Sequence, residues 1–150
     1  MKGRTYRYFD GAPLYPFGYG LSYTSFSYSG LSVAASTVQA GSPAVIDVTV
    51  TNTGKRAGDE VAQLYLSFPN VPGAPLKALR GFQRIHLDAG AQQKVRFELS
   101  ARDMSMVTDA GDPIVAEGAY TVFVGGGQSG TGAPGVTGSF NVNGKLILPE

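Results

Sequence analysis

In 150 residues the chain contains no cysteine, no tryptophan and a single histidine. Without cysteine there is no disulfide, no thiolate nucleophile and no Cys-based metal site, a usage compatible with either a reducing or an oxidising compartment. One histidine cannot form a zinc triad, and any Ser-His-Asp or Cys-His arrangement would have to run through it. That residue, His86, lies in Gln83-Arg84-Ile85-His86-Leu87 on the polar side of an alternating strand, where an exposed strand residue is the expectation. Charge is also scarce. Charged residues make up 15% of the chain, twelve Lys and Arg against eleven Asp and Glu give a formal +1, and no run of like charge exceeds Lys55-Arg56 or Asp59-Glu60. Nucleic acid or an anionic membrane surface would call for clustered basic residues, so neither is expected as a partner. No stretch approaches the roughly 18 consecutive apolar residues of a membrane helix. Met1-Lys2-Gly3-Arg4 begins like a signal n-region but continues into Thr5-Tyr6-Arg7-Tyr8 without an apolar core, so no secretion signal is expected within it, and any such signal would lie upstream.

Helical periodicity is missing throughout, whereas Gly (21) and Pro (9) are plentiful. From residue 30 onward the period is two. Ile46, Val48 and Val50 alternate with Asp47, Thr49 and Thr51, and Val95, Phe97 and Leu99 alternate with Lys94, Arg96 and Glu98. Both patterns fit strands with one buried face. Ala62, Leu64, Leu66 and Phe68 alternate with Gln63, Tyr65 and Ser67, and Tyr120, Val122 and Val124 with Thr121, Phe123 and Gly125. Those two strands are partly apolar on both faces and should be central. Asn52-Thr53-Gly54, Asp88-Ala89-Gly90, Asp109-Ala110-Gly111-Asp112-Pro113 and Glu117-Gly118 supply turns between them. The spacing predicts strands near 26–36, 43–52, 58–68, 78–87, 91–100, 114–116, 119–125 and 136–148. Residues 101–105 have room for at most one helical turn. Seven to eight short strands predict an all-β, immunoglobulin-like or fibronectin type III-like two-sheet sandwich. Tyr120 fits either a tyrosine corner or an ordinary buried strand tyrosine. Residues 125–135, almost all Gly, Ser, Thr and Pro, read as a flexible connection too polar and Gly-rich to pack. A phosphate-cradling role for them lacks the helix and the Lys-Ser/Thr end that such loops carry.

Acid–base chemistry has little support. Glycoside hydrolysis needs two carboxylates facing across a cleft. Asp47, Asp59, Glu60, Asp88, Glu98, Asp109, Asp112 and Glu117 all read as turn residues or exposed strand positions. Asp109 and Asp112 offer calcium too few oxygens. No catalytic residue, cofactor-binding residue or metal ligand is therefore expected in this chain.

Aromatic residues are concentrated at one end. Nine of the sixteen Phe and Tyr residues fall within the first 28 positions, six of them Tyr. Rings with a polar tip suit surfaces that are apolar at the centre and wet at the edge, which describes protein interfaces and sugar platforms alike. With Trp absent, an interface is preferred, and closure of the segment over its own sandwich remains open. Candidate interdomain or carbohydrate contacts are Tyr6, Tyr8, Phe9, Tyr15, Phe17, Tyr19 and Tyr23.

Gly3-Arg4-Thr5-Tyr6-Arg7-Tyr8-Phe9 and Leu14-Tyr15-Pro16-Phe17-Gly18-Tyr19-Gly20-Leu21-Ser22-Tyr23-Thr24 closely resemble the segment leading into the C-terminal fibronectin type III-like domain of family 3 glycoside hydrolases, the β-glucosidases and β-xylosidases. The resemblance continues through Val50–Val61, Leu64-Tyr65-Leu66-Ser67, Leu79–Ile85 and Gly118–Val122, and covers about residues 3–126. Residues 127–150 look most like xylosidase-type members. In that family the nucleophilic Asp lies on a barrel domain and the acid/base Glu on or near an α/β domain, so no position here inherits either role. The resemblance implies a non-catalytic accessory module. Residues 1–24 would be the linker or tail of the preceding α/β domain, and residues 25–150 the sandwich. Its partners would be the barrel and α/β catalytic domains, with plant polysaccharide or lignin as the alternative and a free-standing adhesion domain as a third reading. A secreted or periplasmic bacterial parent is expected. Because Met1 opens inside a family motif, the chain is expected to be a piece of a longer protein or the product of a truncated reading frame.

Overall fold

A computed structural model describes residues 5–9, 11–108 and 110–149. Gly3 and Arg4 of the aromatic motif and Asp109 of a turn lie outside the described residues, with the rest of 1–4, Asp10 and Glu150. The predicted alternation is realised as strands: β1 (Phe26–Val33), β2 (Thr37–Gln39), β3 (Ala44–Asn52), β4 (Gly58–Ser67), β5 (Ala78–Leu87), β6 (Gln92–Leu99), β7 (Met106–Val107), β8 (Pro113–Val115), β9 (Gly118–Gly125), β10 (Gly135–Asn143) and β11 (Leu146–Ile147). Three form one sheet in the order β1-β3-β6, five form a second in the order β2-β10-β9-β4-β5, and β11-β8-β7 make a small third. The protein is an all-β sandwich, as the alternation predicts.

Its core follows from period two. Ile46, Val48 and Val50 of β3 and Val95, Phe97 and Leu99 of β6 bury their inward side chains, and Ala62, Leu64, Leu66, Val122, Val124 and Phe140 complete the cluster from the facing sheet. Each large aliphatic side chain so buried contributes roughly 1.5–3 kcal/mol. The two strands apolar on both faces, β4 and β9, are central and pair with each other.

The short elements escape sequence pattern. β1 stops at Val33, and the chain crosses to the other sheet, where β2 runs parallel to β10. With Val38 as its one buried residue, β2 is too short to display a period. The strand expected over 136–148 is broken at Gly144, whose φ of +80° turns the chain out of β10 and into β11. Met104 closes the one helical turn through its N–H to Ser100 O at 3.1 Å. Tyr120 takes the corner arrangement: its hydroxyl donates to Ala116 O at 2.9 Å and accepts from Ala116 N–H at 3.1 Å.

Two acidic residues expected in exposed positions are differently placed. Glu60 is half-buried and accepts from the Tyr28 hydroxyl at 2.9 Å, and burial raises its pKa against the opposing effect of that bond. Asp47 accepts from Arg96 Nε at 2.8 Å and lies 3.3 Å from Lys94 Nζ, which together hold its carboxyl at about 2. A folded-state value below the unfolded one adds stability above the ordinary carboxylate range, and that stability is lost as pH falls through about 2. Glu60 has the opposite sign: its contribution is full at low pH and declines as pH rises through its raised value. Asp47→Asn should therefore lower stability at neutral pH and flatten the acid limb of the pH–stability curve. Parallel acid limbs in urea titrations of the two proteins would contradict this.

Candidate functional site

Alternation sends Gln63 and Tyr65 of β4 to the face opposite the core, and the N-terminal aromatic segment is fastened onto that face. Gln63 is buried, with 7% of its surface exposed. Its amide lies 3.4 Å from both Gly18 O and Gly126 O, and its Oε1 accepts from the Tyr65 hydroxyl at 2.7 Å. Burial, with Tyr6 beside it, pushes the Tyr65 hydroxyl up to about 12. Tyr6 stands edge-on to Tyr65 at 6.3 Å, stacks on Phe17 at 4.2 Å, and accepts Leu79 N–H on its own hydroxyl at 3.2 Å. Leu76 N–H donates to Arg7 O at 2.7 Å.

The Gly-rich connection packs, contrary to expectation. Gly125, Gly127 and Gln128 are buried, and Gly126 N–H returns to Pro134 O at 3.1 Å. Glycine makes this close packing possible: a Cβ on Gly126 would stand 2.7 Å from Glu60 Oε1, and one on Gly125 would stand 2.5 Å from Pro134 O. Gln128 Oε1 then accepts Phe17 N–H at 3.3 Å, and Lys77 Nζ donates to Ser129 O at 2.9 Å. The connection forms a wall behind the segment. A groove of about 660 Å³ opens between them, with Pro13, Leu14 and Tyr19 on one side and Leu76, Lys77 and Ser129 on the other.

At the end of the segment Thr24 is held by Asn52, the last residue of β3. Asn52 is fully buried. Its amide donates to Arg56 O at 2.7 Å and Leu87 O at 3.0 Å, while Oδ1 accepts from Gly54 N–H at 3.0 Å and Thr24 Oγ1 at 2.7 Å. Gly58 must lack a side chain here, because a Cβ would stand 2.7 Å from Thr24 Cγ2.

Polar anchors thus take the backbone at Phe17 and Gly18 and leave the rings of Tyr15, Tyr19 and Tyr23 outside. Of the seven candidate rings, Tyr6 and Tyr8 are half-buried, while Phe9 and Phe17 are exposed at 39% and 46%. Tyr15, Tyr19 and Tyr23 project at 71%, 56% and 96%, flanked by Leu14 and Leu21 at 92% and 90%. Phe82 and Val61, on the outward side of β5 and β4, are exposed as well. Phe82 was legible as an outward strand position, and Gln63 as the polar member of an alternating pair. Gln128 carried no signal, since nothing in a Gly-rich stretch marks one glutamine as buried.

Asp59 and Glu60 leave β4 on opposite faces, Asp59 toward Arg84 and His86 of β5 and Glu60 toward Tyr28 of β1. They do not face each other across a cleft. His86 is exposed, its Nδ1 2.6 Å from Asp59 Oδ1.

Gly18 holds the segment close. Its φ is +77°, and a Cβ there would collide with the Gln63 side chain. Gly18→Ala should loosen residues 16–19 by about 1–2 kcal/mol through left-handed strain and lost Gln63 contact. Chymotrypsin should then cleave at Tyr19 severalfold faster while the melting of the sandwich is unchanged. Unaltered cleavage would show that Gln63 does not hold the segment.

Residues 60–128 match the fibronectin type III-like domain family. Among curated relatives, Probable beta-glucosidase D of Aspergillus niger is 43% identical over 140 residues, covering 80% of this chain and 19% of its own length. Xylan 1,4-beta-xylosidase of Xylanibacter ruminicola is 46% identical over 104 residues, 69% of this chain and 12% of its own. Among solved structures, beta-glucosidase 3B of Thermotoga neapolitana, in complex with alpha-D-glucose, superposes with a TM-score of 0.83 at 32% identity, over 97% of this chain and 19% of that one. The chain spans about a fifth of the length of these glucosidases and less of the xylosidase. With the sandwich formed and the family match lying across its central strands, the chain carries the fibronectin type III-like domain of the family 3 glycoside hydrolases.

Proposed function

We propose that this chain is a non-catalytic accessory module that docks on the catalytic domains of a family 3 glycoside hydrolase and stabilises their arrangement. Residues 1–24 form the joint, and residues 25–150 the sandwich that supports it. One observation carries this reading: buried Gln63 and Gln128 fasten the backbone at Phe17 and Gly18 while Leu14, Tyr15, Leu21 and Tyr23 stay in water. A segment serving only to close its own sandwich would turn those side chains inward. An exposed apolar patch held on a rigid support fits an interface.

The test is a chimera in which this chain replaces the corresponding segment of the Thermotoga neapolitana enzyme. Tyr23→Ala should lower the stability of the chimera by about 1.5–3 kcal/mol, the value of one buried ring. In the isolated chain, where the ring is already in water, the change should stay within about 0.5 kcal/mol. Equal effects in both would remove the docking account. Isolated chain should hydrolyse no aryl glucoside or xyloside. Ring-dependent retention on xylan, cellulose or lignin would favour polymer binding instead.

A further inference from the structure

Next to the aromatic surface is a second concavity that docking by rings leaves unexplained. Arg7, Arg80 and Arg102 line one pocket of about 330 Å³ together with Tyr8 and Ser105. They arrive from three places: the N-terminal segment, β5 and the turn after β6. Arg80 falls where the β4–β5 register shifts, between Leu79 and Gly81. Its guanidinium lies 5.3 Å over the Phe68 ring and donates through Nη2 to Ser105 O at 2.7 Å. Its Nε is buried and makes no hydrogen bond. Among the described residues no carboxylate lies within 4.0 Å of any of the three guanidiniums, the ion pairs being those of Asp59 and Asp47 elsewhere. Asp103, beside Arg102, gives its carboxylate to Ser100 N–H and Oγ at 2.8 and 2.6 Å. Burial and the Arg7 charge lower the pKa of Arg80, and Asp103 and Tyr6 only oppose that.

A partly buried cation with an unused donor and a second cation beside it is costly unless an anion joins it. Guanidinium forks match planar carboxylates through paired N–H···O bonds, and a low-dielectric wall such as Phe68 strengthens the match. We propose that the Arg7–Arg80–Arg102 pocket receives a carboxylate, supplied by an Asp or Glu side chain of the catalytic portion that docks against the aromatic surface. The identity of the donor rests on the docking reading; the pocket itself does not. Continuity supports this donor. Tyr8 and Pro75 line the arginine pocket, and their chain neighbours Phe9 and Leu76 line the groove beside the exposed rings, so one partner can cover both. Such a charge contact would set the register that a purely aromatic surface leaves loose.

Glutarate is the probe, titrated into the isolated chain while the Arg80 Nε–Hε resonance is followed by NMR, with sodium chloride at matched ionic strength as control. Expected is a saturable shift with glutarate that chloride does not reproduce. Arg7→Gln combined with Arg102→Gln, both exposed positions, should weaken it by at least about tenfold without altering the melting temperature. A shift that tracks ionic strength alone, or one indifferent to the double substitution, overturns the pocket. In the chimera the source is decided. There the resonance should already be displaced and glutarate should have no further effect, because the site is filled from within. Glutarate binding equally well to chimera and isolated chain would overturn the interdomain donor and leave a site for free small carboxylates. Loss of the ring effect of Tyr23→Ala alongside intact glutarate binding would overturn docking while keeping the pocket.

Discussion

Asn52→Ala is expected to cost about 3 kcal/mol of folding free energy, from the buried Leu87 carbonyl stripped of its donor at roughly 1–3 kcal/mol and the bonds to Arg56 O, Gly54 N–H and Thr24 Oγ1 lost at roughly 0.5–1.5 kcal/mol each. Asn52 is fully buried and uses all the hydrogen-bonding directions that count: two donors to Arg56 O and Leu87 O, and one oxygen shared by Gly54 N–H and Thr24 Oγ1. These partners come from the end of β5, the β3–β4 turn and the aromatic segment, so one buried amide ties three chain segments together. Alanine leaves a cavity lined with orphaned polar atoms that the rigid strand ends prevent from collapsing. For a chain of this size the loss corresponds to a fall in melting temperature of about 6–12 °C. Asn52→Asp separates the two sides of the amide. It retains the acceptor for Gly54 and Thr24 but removes both donors, and should recover little. Urea unfolding followed by circular dichroism measures both, and a loss below about 1 kcal/mol for alanine would mean that Asn52 is not the tie described here.

Tyr120→Phe should cost about 2 kcal/mol, the second-largest effect within the chain itself, because one hydroxyl serves both the N–H and the C=O of Ala116 in a buried site. Tyr120 has no exposed surface, and Ala116 is 5% exposed. The substitution is clean. Phe keeps the ring stacked on Phe140 at 5.6 Å and edge-on to Phe68 at 5.9 Å, so packing is retained and only the corner bonds are removed. Tyr15→Phe, at an exposed ring, is the control and should change stability by less than about 0.5 kcal/mol. If both substitutions prove equally mild, the Tyr120 hydroxyl is incidental to the turn.

Much of this was legible in the sequence because a strand with one buried face writes its pattern locally. Ile46, Val48 and Val50 needed no knowledge of what they pack against, and β5 was delimited at residues 78 and 87 from pattern and turn chemistry alone. Tyr120 could be placed near a corner but not decided, since its hydroxyl partner four residues earlier is set by the path of the chain. The Gly-rich connection was misjudged for a related reason. Composition reports how freely such a stretch can move in isolation, whereas its packing depends on Phe17, Lys77 and Glu60, which are distant in sequence. The arginine pocket had no local sign either, because Arg7, Arg80 and Arg102 are far apart along the chain.

By itself the sequence determined the long strands, the sandwich and the family likeness, because these depend on side-chain alternation and turn residues that act within a few positions of one another. It also located the aromatic segment and excluded the chemistry that cysteine and multiple histidines would support. Which rings face water was decided only in three dimensions. Tyr6 and Tyr23 are the same residue type in the same Gly- and Pro-broken segment, yet one stacks on Phe17 over Tyr65 and the other is 96% exposed. The difference comes from the amides of Gln63 and Gln128, which grip the backbone between them. Long-range hydrogen bonds of that kind orient a segment that has no period of its own.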